Sequence, residues 1–158
     1  MSCRYPGYME AVSFTSRRFQ IVDGPAGTRD VVLSTIISAA DARALGSALG
    51  WQRQADYLAP ATESADQVLA LRALVVLVDQ FEELQSGGGP VMLREDQVQL
   101  LAEASHRYVA ARDVDGHQPP QERERIARLK SLGGPLFDLV ADFAGAQAEA
   151  AEHHLRQP

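Results

Sequence analysis

The sequence predicts a mainly α, α+β fold: a compact bundle of about five helices around a central hydrophobic helix, with a short N-terminal β-hairpin. Three observations carry that expectation. Residues 66–84, DQVLALRALVVLVDQFEEL, place Arg72, Asp79 and Glu83 in a strip about 40° wide and fill the rest of the circumference with residues such as Leu71, Leu74, Leu77, Val78, Phe81 and Leu84. Such a helix calls for neighbours on nearly every side. β-branched and aromatic residues concentrate at 12–22 and 31–37, on either side of the turn-forming segment DGPAGT. After residue 38 the apolar positions follow helical spacing.

Taken in order, residues 1–11 carry Pro6 and Gly7 without any period and read as a flexible arm, followed by the hairpin over 12–37. Ser38-Ala-Ala-Asp41 has the form of a capping box with Asp in place of Glu, so a helix starts there. It runs to about Leu58, ahead of Pro60, with an apolar seam of Ala44, Ala48, Trp51, Ala55 and Leu58. The central helix ends at Ser86-Gly-Gly-Gly-Pro90, which reads as a loose connector, and Val91-Met92-Leu93 offers a third strand to the hairpin. Glu95 and Asp96 suit the positive end of a helix reaching Arg112, with Val98, Leu101, Tyr108 and Val109 inward and Glu95, Glu103, His106 and Arg107 outward. A fourth helix is expected over 120–132 on Ile126, Leu129 and Leu132. Gly133-Gly134-Pro135 then breaks the chain before a last helix that buries Leu136, Phe137, Leu139, Val140, Phe143 and Ala144. Beyond Gly145 the apolar pattern thins to alanine, and 146–158 are expected to fray. The whole of 1–158 forms one domain in this reading, the bundle occupying 38–145.

Composition narrows the function. A chain of 158 residues, 46% hydrophobic and 23% charged, is long enough to bury a core. Its formal charge of −6 disfavours phosphate-rich partners, nucleic acid and anionic membrane alike. The lone Cys3 excludes an internal disulfide and a cysteine metal cage, and it suits a reducing cytoplasm. The richest apolar run is interrupted by Arg72 and is too short to span a bilayer, so no membrane partner and no targeting segment is expected.

Candidate chemistry is sparse. Glu103 and His106 have the E-x-x-H spacing of di-metal helical bundles, but both fall on the polar side of their helix, and Glu149 with Glu152 lacks the matching histidine. Asp138, Asp142, Glu149 and His153 line one face of the last helix. Arg123, Arg125, Arg128 and Lys130 interleave with Glu122 and Glu124, the pattern of helix-stabilising pairs. Arg17 and Arg18 stand beside Phe14 and Phe19 on the hairpin, where cations and rings together can hold a nucleic acid. Ala42, Gly46 and Gly50 recur every four residues and can admit another backbone closely.

With no assembled catalytic set and no cofactor called for, the expectation is a non-enzymatic cytoplasmic interaction or regulatory protein. It would act as a homodimer or on a protein partner, with Ala42, Gly46 and Gly50 at the interface. A DNA- or RNA-binding accessory protein using Arg17, Arg18, Phe14 and Phe19 is the alternative, and a metal-dependent enzyme built on Glu103 and His106 the second.

Overall fold

A computed structural model describes residues 13–23, 29–58, 65–114 and 118–156. The expected arm and the tip of the hairpin turn lie outside the described residues. Three strands, β1 (Thr15–Asp23), β2 (Arg29–Ile37) and β3 (Gly89–Arg94), form an antiparallel sheet in the order β1-β2-β3. Four helices accompany them: α1 (Ala39–Leu58), α2 (Ala65–Leu84), α3 (Glu95–Arg112) and α4 (Pro120–Arg156). One buried cluster draws on β2, β3 and all four helices, with Phe14 at its edge.

The sheet buries one face. Phe19, Leu33 and Leu93 lie in one row across it, and the last two are fully buried. The neighbouring rows, Arg18–Ser34–Met92 and Gln20–Val32–Arg94, occupy the other face because successive side chains alternate. The β1 register shifts between Thr15 and Arg18, next to positive φ at Phe14 (62°) and Ser16 (53°). Phe14 is buried there, its N–H donating to the Ile36 carbonyl at 2.7 Å, and the Thr35 hydroxyl donates to the Thr15 carbonyl at 2.7 Å. No local sequence signal marks this bulge.

α1 begins as expected, with Ser38 Oγ accepting the Asp41 N–H at 3.1 Å. Asp41 does not close the box in return; its carboxylate accepts from Arg128 of α4 at 3.0 Å and is nearly buried. α1 packs against α2, α3 and α4 together, burying Leu45, Ala48 and Leu49. It therefore holds the position expected of 66–84. α2 instead flanks α1 and touches α3 only lightly, leaving Val68, Val75 and Val76 exposed while Leu74, Leu77, Val78 and Phe81 are buried. Its apolar circumference is wider than the surface its neighbours offer. Arg72, Asp79 and Glu83 are all exposed, and no ion pair joins them among the described residues.

The count of five helices is corrected to four. α4 is one 37-residue helix that runs through Gly133, Gly134 and Pro135, about 55 Å long at 1.5 Å per residue. A helix-interior proline costs about 3 kcal/mol and a glycine about 1 kcal/mol. The compensation is a seam that does not break: Ile126, Leu129, Leu132, Leu136, Leu139 and Phe143 are all buried, at spacings of three and four. Residues 146–156 continue the same helix, with Ala146 and Ala150 packed against the core. Phe137 and Ala144, expected inside, are exposed, Phe137 to 74%.

Tyr108 joins α3 to α4. Its hydroxyl donates to Glu122 Oε1 at 2.6 Å and accepts from Arg125 Nη1 at 3.2 Å, and its ring meets Trp51 edge-on at 6.0 Å. Burial first, and then the Glu122 bond, raise its pKa above the ordinary 10.0, with Arg125 pulling the other way. The folded chain thus holds this proton more tightly than the unfolded one. Stability is expected to fall as pH rises from about 10 towards the folded value. Tyr108→Phe should flatten that fall, as urea midpoints measured from about pH 9 to about pH 11 would show.

Candidate interaction surface

The antiparallel pair α3 and α4 leaves a groove on its outer side, about 450 Å³ in volume. Ala102, Ser105, His106 and Val109 form the α3 wall, at the three- and four-residue spacing of one helix face. Leu129, Lys130, Gly133, Phe137 and Val140 form the α4 wall. The groove exists because small residues stand where large ones would close it. A Cβ added at Gly133 would meet no atom within 4 Å. Ser105 is 4% exposed, and its hydroxyl oxygen has no hydrogen-bond partner among the described residues. Phe137 stands on the rim, and Lys130 is held there by an ion pair with Asp113. Most of the lining surface is apolar, with Ser105, His106 and Lys130 as its polar members.

The residues singled out in the sequence are dispersed. Glu103 and His106 are exposed; Glu103 pairs with Arg107 at 2.7 Å while His106 lies at the groove. Among the described residues, no group of three or more His, Cys, Asp or Glu side chains is placed to hold a metal ion. Arg17 and Arg18 diverge at the bulge. Arg17 binds Asp142 of α4 at 2.9 Å and the Phe14 carbonyl at 2.8 Å, whereas Arg18 lies on the open sheet face with Met92 and, one row away, Arg94. Phe14 is buried, and Phe19 packs edge-on against Phe143 at 5.0 Å. Both rings are thereby committed to the core.

Ala42 is fully buried within its own chain, the Gln85 side chain fills the space over Gly46, and only Gly50 has open space beside it. The acidic stripe is likewise divided: Asp142 pairs with Arg17, Glu149 lines a recess of about 380 Å³ beside β1, and Asp138 stands exposed. Arg125, Arg128 and Lys130 are engaged with Glu122, Asp41 and Asp113. Sequence reasoning missed Ser105, Gly133 and Phe137 as members of one surface. Ser105 lies within the E-x-x-H spacing of Glu103 and His106, and Phe137 sits inside an apolar run that reads as core. No helix of the described residues is long and apolar enough to cross a membrane. No family model, curated protein or solved structure matches the chain.

Proposed function

We propose that the protein is a non-enzymatic interaction protein that binds a protein partner on the outer face of α3 and α4. The observation that carries this reading is Phe137, 74% exposed beside an apolar groove. Fully burying such a side chain is worth about 1.5–3 kcal/mol, and one aromatic anchor seated in a pocket often dominates an interface. The surroundings support binding over catalysis: the groove holds one histidine, one serine and one lysine, and the lysine is already paired. The lone Cys3 suits the cytoplasm as the place of action.

A photo-crosslinking amino acid placed at position 137 tests the reading in cells. Protein adducts are expected from 137 and not from Gln99, an exposed position of α3 outside the groove. The reading is overturned if position 137 yields no protein adduct.

A further inference from the structure

The partner's identity can be read from the symmetry of the same surface, an inference that rests on the α3/α4 face being a protein-binding one. We infer that the occupant is a second copy of this chain, docked with the two α4 helices antiparallel about a two-fold axis at Gly134.

A two-fold interface must be self-complementary, which requires a knob and its hole on one patch. Phe137 is the knob, and the groove whose rim it forms is the hole. Around Gly134 the exposed residues of α4 are arranged as such an axis demands. Lys130 and Asp138 lie four positions to either side of it, both exposed and of opposite charge. In an antiparallel pair centred on Gly134, Lys130, which pairs with Asp113 of its own chain, comes level with Asp138 of the other copy, so the juxtaposition occurs twice. The same centring sets Phe137 over the second copy's stretch 130–133, the α4 wall of its groove.

The backbone at the axis is bare. Gly133 and Gly134 are exposed, and a Cβ at either would meet nothing within 4 Å, so two helices can approach closely there. Ala127, Gly134, Ala141 and Ala148 continue this small-residue line along α4 with a period of seven, every one exposed. A second, independent mark of an unfinished interior is the Ser105 hydroxyl, buried at the groove without a partner among the described residues.

Light scattering at tens of micromolar is expected to give about twice the 17.2 kDa chain mass. Phe137→Glu should weaken association on the order of thirtyfold or more while circular dichroism stays unchanged. The decisive step is a charge exchange. Lys130→Glu and Asp138→Lys are each expected to weaken self-association, because like charges then face each other. Mixed together, they should form a heterodimer in which both crossed pairs are restored.

A monomeric wild type, a dimer indifferent to Phe137→Glu, or single charge variants that do not recombine would each overturn the inference. If the wild type is monomeric and position 137 crosslinks a different protein, the second copy is wrong while the binding function stands. If position 137 crosslinks nothing, both fall.

Discussion

Phe143→Ala is expected to lower the stability of the fold by about 3–5 kcal/mol, a large part of the 5–15 kcal/mol typical of a domain. Phe143 is fully buried, and its ring receives Phe19 edge-on at 5.0 Å and 87°. Alanine would lose the transfer free energy of the ring, leave a cavity between β1 and α4, and forfeit the aromatic pair, itself worth about 0.5–1.5 kcal/mol. The ion pair Arg17–Asp142, whose side chains are 32% and 47% exposed, also links β1 to α4. Arg17→Ala should therefore cost under about 1 kcal/mol. Urea unfolding of the two variants separates the contributions. Hydrogen exchange should further show β1 amides losing protection first in Phe143→Ala, because this ring holds that strand to α4 through Phe19. A Phe143→Ala loss no larger than that of Arg17→Ala would contradict the described packing.

Much of the architecture was legible in the residues because it follows from local rules. The two hairpin strands, the third strand at Val91–Leu93, the start of α1 at Ser38 and the extent of α3 each rest on periodicity, turn formers or capping chemistry within a few positions. What could not be read depends on distant parts of the chain. Pro135 and the two glycines before it are strong local breakers, and the buried seam that runs past them, Leu132 and Leu136 on either side included, keeps α4 whole. Likewise, the apolar circumference of 66–84 says that the helix wants cover, but not which neighbours supply it; α1 and β3 reach one side only.

The candidate surface was less legible than the fold. Apolar residues at helical spacing look the same in sequence whether they face a core or an open groove, so Phe137 reads like Phe143 although one is 74% exposed and the other fully buried. The polar candidates failed for a related reason. Arg17 and Arg18 are adjacent in sequence, and the bulge before Arg18 sends them to different surroundings, one to Asp142 and one to the open sheet face. Spacing in the chain specifies a shared face only where the backbone stays regular.

The glycine run supplies the second large effect, because it is not a loose connector. Gly88 has φ of +69°, and its N–H donates to the Leu84 carbonyl at 2.8 Å, closing the C-terminus of α2. A Cβ at this position would stand 2.6 Å from the Ile37 carbonyl oxygen, 2.8 Å from the Ala39 nitrogen and 3.1 Å from the Ser38 carbonyl carbon. All three are backbone atoms at the junction of β2 and α1, so no side chain can swing away to make room. Retreat would pull Gly89 from its pairing with Ile37 or displace the start of α1. Gly88→Ala is expected to cost at least about 3 kcal/mol, combining a left-handed alanine with a displaced junction. Gly87, one residue earlier, has no atom within 4 Å of its added Cβ and no positive φ. Gly87→Ala should therefore stay within about 0.5 kcal/mol of the wild type. Equal urea midpoints for the two variants would show that the junction is slack. A large loss for Gly88→Ala alone would identify the middle of the three glycines as the position that ties α2, the sheet and α1 together.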